Sequence, residues 1–164
     1  MSVGGKAAGD TSRGFAGHHP LAALQGRLGF TFTDGGLLQR AVTHKSFGSD
    51  QNERLEFLGD SVLNLAVSDL LFKLFDHQDE GELTRVRAHL VRQDTLHKLA
   101  LTLDLPLVMR LSEGEAKGGG AQRPSILADA LEAIIGAIYL DGGFDQAKAL
   151  VYRLFEPMVG QTTS

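Results

Sequence analysis

An all-α fold is the expectation for this sequence, and three observations lead to it. Apolar residues recur three or four positions apart through most of the chain, as in Leu21, Leu24 and Leu28 or Leu55, Leu58, Val62 and Leu65. That spacing gathers side chains on one face of a helix. The apolar stretches are bounded by residues that start or stop helices, among them Pro20, Gly29, Asp34, Asn52 and the run at 141–143, and no segment alternates apolar and polar residues as a half-buried strand does.

Residues 1–19 are glycine-rich and otherwise small or polar apart from Val3 and Phe15. They bury too little to offset their ordering entropy, so a flexible N-terminal tail is expected. Pro20 suits a first helical turn, and the leucines that follow mark a short helix ended by Gly29. Asp34 caps a second through Leu37, Leu38, Ala41 and Val42, and the polar segment 43–51 is a connection. Asn52 is expected to cap the third helix, with Glu53 and Glu56 at the positive end of its dipole. This helix runs to about Phe75, and Phe57, Leu63, Ala66, Leu70 and Leu74 make it apolar almost all round. Such a helix must be surrounded, in part by a second copy of the chain.

After a turn at 76–81, Leu83, Val86, Leu90 and Val91 mark a helix with Arg85, Arg87 and Arg92 on its polar side. A further helix spans 95–103, Pro106 ends that element, and residues 105–111 fit no single template. Segment 112–125 reads as a loop, with Gly114, glycines at 118–120 and Pro124. Ser125 is expected to cap a helix reaching Leu140, and a last helix covers 144–155, stopped before Pro157.

Composition narrows the function. A 164-residue chain with 43% hydrophobic residues fits one domain. Sixteen basic against twenty acidic residues give a formal charge of −4, so any nucleic-acid site is a local patch rather than a bulk attraction. The absence of cysteine excludes disulfides, thiolate metal sites and cysteine nucleophiles. No apolar run reaches the roughly eighteen residues of a membrane span, and the N-terminus lacks a secretory pattern, so a cytoplasmic location without membrane attachment is expected.

Two stretches stand out against this background: NERLEFLGDS at 52–61 and SILADALEAIIGAIYL at 125–140. Glu56 and Asp60 are four apart and Asp129 and Glu132 three apart, so each pair projects from one helix face among residues that belong in a core. Two carboxylates about 5 Å apart repel by roughly 3 kcal/mol at an effective dielectric of about 20. Four converging ones need basic partners, raised pKa values or a bound cation. Arg54 and Arg123 are the basic residues nearest in sequence, and neither suffices. A hard divalent cation, Mg²⁺ where phosphate is the substrate, answers best. A divalent cation held by carboxylates activates a bound water for hydrolysis of phosphodiesters, with no need of a Ser, Cys or His nucleophile. The six histidines accordingly show no triad-like or HExxH arrangement, and His44, in THKS, is left as a packing or hydrogen-bonding residue near the site.

Taken together and in order, NERLEFLGDSVL, DEGELTRVRAHLV, GEGEAKGGG and SILADALEAIIGAIYLDGG resemble the catalytic domain of ribonuclease III, over about residues 20–157. The resemblance implies a helical endonuclease domain, here 20–160, that dimerises through the signature helix. Glu56, Asp60, Asp129 and Glu132 match the family's Mg²⁺ ligands, with Asp60 and Glu132 nearest the hydrolytic step and Mn²⁺ expected to substitute. Glu53, Glu80 and Lys117 match accessory or substrate-contacting positions. The implied activity is cleavage of double-stranded RNA to 5′-phosphate and 3′-hydroxyl ends, in the processing of ribosomal and other RNA precursors, by a homodimer with one site per strand. The chain ends at Ser164, so residues 161–164 are expected to be a plain terminus with no C-terminal double-stranded RNA-binding domain. Weak, salt-sensitive RNA binding, relieved by a separate RNA-binding partner, is the corresponding expectation. The alternative is a non-catalytic RNA-binding or ribosome-associated module on the same fold.

Overall fold

The computed structural model describes residues 19–163, with side chains to Gly160. Among them are eight α-helices and no β-strand: α1 Pro20–Leu28, α2 Gly35–Ala41, α3 Glu53–Leu74, α4 Glu80–Leu90, α5 Gln93–Thr102, α6 Glu113–Lys117, α7 Pro124–Gly142 and α8 Phe144–Thr163. The expected all-α class is what is found. The expected tail lies outside the described residues except for His19, whose Nδ1 already caps α1 by accepting from the Leu21 amide.

The centre of the molecule is α7. Its Leu127, Ala130, Leu131, Ile134, Ile135 and Ile138 are fully buried, and α3 lies along it with Leu63, Ala66 and Val67 equally buried. Helices α5, α8 and α2 close over the rest of α7. The α3–α7 contact rests on glycine. A Cβ on Gly59 would fall 1.7 Å from the Glu132 carbonyl oxygen, and one on Gly136 would fall 2.5 Å from that of Leu55. The two backbones therefore meet where any side chain would hold them apart.

Several expectations are corrected. Helix α8 passes through Pro157 instead of stopping before it. A proline removes one amide donor and crowds the carbonyl four residues back, but Phe155 and Val159 are both buried on one side of this helix, and their burial holds it together. Asn52 makes no capping bond to α3; Gln51 Oε1 accepts from the Glu53 amide instead. Asn52 is buried and ties two segments together, its Nδ2 donating to the Ala41 carbonyl and its backbone amide to that of Thr43. Segment 112–125 is not all loop: Ser112 Oγ caps the one-turn α6, and Pro124, not a serine-capped Ser125, occupies the first turn of α7. The ambiguous 105–111 stretch is a 3₁₀ turn, Leu105–Leu107, followed by a single parallel bridge between Arg110 and Thr43.

The surround expected for α3 is incomplete within one chain. Phe57, Leu65 and Phe72 are 80%, 57% and 73% exposed. No described helix is long and apolar enough to cross a membrane.

Candidate metal centre and active site

The glycine crossing sets the site. Glu56 and Asp60 flank Gly59 on α3, and the carbonyl that Gly59 approaches belongs to Glu132 on α7. Both acidic pairs therefore emerge at one place. Glu56, Asp129 and Glu132, all half-buried, each offer a carboxylate oxygen, and these oxygens lie within 4.8 Å of one another. Asp60 is more exposed and stands outside that set, within hydrogen-bonding reach of the Glu132 carboxyl. Asn64 steadies its backbone, Nδ2 donating to the Asp60 carbonyl at 2.8 Å.

The electrostatics carry the strain of this convergence. Burial pushes Glu132 up to about 8, and the hydrogen bond and charge of Asp60 add to it. Burial likewise lifts Glu56 to about 7, followed by the charge of Asp129. Asp129 is raised by burial, offset by the hydrogen bond it takes from Glu56 and by the neighbouring His44 and Lys45. Near neutrality the protons carried by Glu56 and Glu132 relieve the repulsion, and Lys45, the lysine lining the cavity beside Glu56 and Asp129, is shared with the rim carboxylate of Glu53. Arg123, upstream of the second pair, is bound to Glu115 at 2.7 Å. An all-oxygen donor set of this charge suits a hard divalent cation, which would displace those protons.

Two cavities meet at the cluster and share Glu53 and Glu56. One, of about 390 Å³, is lined also by Phe57, Asp60, Ser61 and Glu132. The other, of about 180 Å³, is lined by His44, Lys45, Asn52, Ser125, Ile126 and Asp129. Glu53 thus stands at the rim, 3.8 Å from the Lys45 ammonium. Glu80 and Lys117 are not brought to the cluster. Glu80 begins α4 beside a cavity with Ser68, Leu71, Phe72 and Arg87, and Lys117 pairs with Glu113 on α6 at 3.8 Å. The arginines of the expected basic strip are already engaged: Arg85 and Arg87 on α4 by Glu82 and Ser68, and Arg92, which lies beyond α4 at the start of α5, by Asp94.

Sequence reasoning missed Lys45 and Ser125 as neighbours of the cluster, and it left His44 without a defined role. The one available signal was the position of THKS just before the acidic helix.

Comparison with known proteins adds an independent line. Residues 34–158 match the family model described as ribonuclease-III-like. The chain is 65% identical over 136 residues to ribonuclease 3 of Variovorax paradoxus, covering 83% of this chain and 60% of that protein. It is 57% identical over 141 residues to ribonuclease 3 of Ralstonia pickettii, covering 86% and 55%. The chain therefore spans little more than half the length of these curated relatives. Among solved structures it is similar to the nuclease domain of ribonuclease III from Campylobacter jejuni, in work on flexibility of a region involved in dimer formation. That match has 48% identity and a TM-score of 0.82, and covers 84% of this chain and 96% of that one. Dicer from Pichia stipitis is similar at 30% identity and TM-score 0.62, covering 79% and 57%.

Proposed function

Because the chain belongs to the ribonuclease-III-like family, we propose that residues 20–160 are a Mg²⁺-dependent endonuclease unit that hydrolyses double-stranded RNA to 5′-phosphate and 3′-hydroxyl ends. The observation that carries this reading is the convergence of Glu56, Asp129 and Glu132 to within 4.8 Å at the α3–α7 crossing. A module that only binds RNA has no use for three half-buried carboxylates on the side a polyanion must approach.

Glu56, Asp129 and Glu132 would hold the cation, with Asp60 beside them. When bound, a divalent cation polarises the scissile phosphate and lowers the pKa of water to near neutrality. The chain's own groups do the rest. Glu56 and Glu132 surrender the protons they hold in the metal-free protein. Asp60, at the open side of the larger cavity, orients the attacking water. Glu53 at the rim assists placement of the substrate, and Lys117 contributes a positive charge to the duplex from α6. The processing of ribosomal and other RNA precursors is the role this activity suits, in the cytoplasm.

A homodimer completes the proposal. Phe57, Leu65 and Phe72 leave an apolar stripe along α3 that a second copy would cover. Glu80, remote from the carboxylates of its own chain, keeps an accessory role only through that second copy. A net charge of −4 gives the duplex little bulk attraction, so affinity rests on local groups and would gain from a separate RNA-binding partner.

The test is incubation with long double-stranded RNA and Mg²⁺ at low and moderate salt, beside Glu132→Ala. Cleavage by the parent chain and a loss of at least about a hundredfold in the variant are expected, since removing one electrostatic element of an active site costs on that order. No cleavage at low salt would remove the enzyme reading, and equal cleavage by the variant would remove the metal-site assignment.

A further inference from the structure

The smaller cavity is lined by donors, and the larger one offers almost none. Beside Asp129 and Glu56 stand the His44 imidazole, the Lys45 ammonium and the Ser125 hydroxyl. Its volume is about 180 Å³, room for ligand groups as well as water. The local structure decides which proton His44 presents. His44 Nδ1 accepts from the Ser46 backbone amide at 3.1 Å and lies 2.9 Å from the Ser46 hydroxyl. A backbone N–H can only donate, so Nδ1 is an acceptor and the ring proton sits on Nε2.

The ring is held from behind as well. Ser46 Oγ accepts from the Ser112 amide at 3.0 Å, and the His44 amide donates to the Arg110 carbonyl at 2.9 Å. The segment is thus tied to residues 110–112, and Arg110 lies over the Phe47 ring at 4.5 Å. Nε2 makes no hydrogen bond to any described residue. A rigidly mounted N–H donor that bonds no described residue, at the rim of a polar cavity beside carboxylates, is arranged for a ligand oxygen.

We propose that His44 is a positioning residue whose Nε2–H donates to a backbone oxygen of the RNA strand, on the nucleotide next to the scissile phosphate, with Lys45 and Ser125 as companions in the same recess. The proposal rests on the nuclease reading above. It also gives the cleft a direction: one end receives the neighbouring nucleotide through donors, while the Asp60 end is left to water.

Two substitutions separate this role from a merely structural one. In His44→Asn the side-chain oxygen takes the place of Nδ1 and still accepts from the Ser46 amide, but the distal donor is gone. In His44→Gln the amide NH₂ falls near Nε2, while the local acceptor is lost. Duplex RNA binding is read by fluorescence anisotropy in a Glu132→Ala background, kcat and KM in the otherwise unaltered chain, and Tm for both variants. For His44→Asn we expect an unchanged Tm, an unchanged kcat, and a Kd and KM raised roughly three- to tenfold, the worth of one neutral hydrogen bond. For His44→Gln we expect a lowered Tm with Kd within about twofold of the parent.

Duplexes carrying a single methylphosphonate or a single 2′-deoxy sugar beside the cleavage point identify the acceptor. The correct one weakens the parent chain and leaves His44→Asn unaffected, since the interaction is then already absent. The reverse pattern, with His44→Asn binding like the parent and His44→Gln impaired, would overturn the positioning role and leave His44 as a turn-forming residue. If the parent chain cleaves no duplex, the nuclease reading fails first and takes this proposal with it. If it cleaves and His44→Asn binds normally, only the proposal fails.

Discussion

At the scale of single residues, the carboxylates tie stability to pH and to metal. Glu132 and Glu56, with values of about 8 and about 7 against an ordinary 4.5, hold their protons more tightly in the folded chain than in the unfolded one. A raised acid pKa means that the folded state binds more protons than the unfolded state between the two values. The associated stability is complete below about 4.5 and is lost as pH rises through about 7 to 8. In EDTA, therefore, Tm should fall between pH 5 and pH 8.5, and Glu132→Gln, which carries no charge at any pH, should flatten much of that fall. A cation replaces the protons, so the rise in Tm on adding Mg²⁺ should be larger at pH 8 than at pH 5.5. A metal-induced shift independent of pH, or largest in acid, would contradict the assignment of these groups as ligands.

At the scale of elements, the crossing of α3 and α7 is the decisive contact. Gly59→Ala places a methyl 1.7 Å from the Glu132 carbonyl oxygen, where backbone and not a mobile side chain must yield. Alanine favours an exposed helix over glycine by about 1 kcal/mol, but overpacking of this kind costs about 3 kcal/mol or more. Urea unfolding should show a much lower midpoint, and cleavage should be lost because the carboxylates no longer converge. Gly26, within α1, supplies the contrast: a Cβ there meets nothing within 4 Å, so Gly26→Ala should stabilise by about 0.5–1 kcal/mol. Equal effects at the two glycines would mean that helix propensity, and not the close approach, governs Gly59.

At the scale of the whole molecule, α3 has one side in the core and one that no described residue covers. Leu71 and Leu63 are buried, while Phe57, Leu65 and Phe72 are open. A second copy applied along this stripe removes apolar area from water at roughly 25 cal/mol per Å². Sedimentation at micromolar concentration should give a dimer, and Leu65→Asp should shift it to monomer without lowering the burial of the monomer's own core. A strictly monomeric parent chain would sink the dimer reading. Binding of duplex RNA should also weaken steeply with salt, because phosphate contacts release counterions.

Much of this was legible from residues alone. The helical spacing of Leu21, Leu24 and Leu28, the stop at Gly29 and the cap at Asp34 are local signals, and the structure repeats them because local hydrogen bonds decide them. The two acidic pairs were visible for the same reason, since intervals of three and four put each pair on one face wherever the helix lies. What failed was governed by distant contacts. Asn52 gave up its cap to bridge toward Ala41, α8 continued through Pro157 because Phe155 and Val159 are buried, and α6 is too short and polar to show a period.

By itself, then, the sequence determined most of the helices, the family pattern and the two acidic pairs, because each is written in spacings of a few residues. Only the tertiary structure decided that Gly59 and Gly136 let two backbones touch, that Glu80 and Lys117 stand apart from the cluster, and that His44 presents Nε2–H beside it. These depend on which surfaces meet across scores of intervening residues, and close packing, rather than any local preference, selects those meetings.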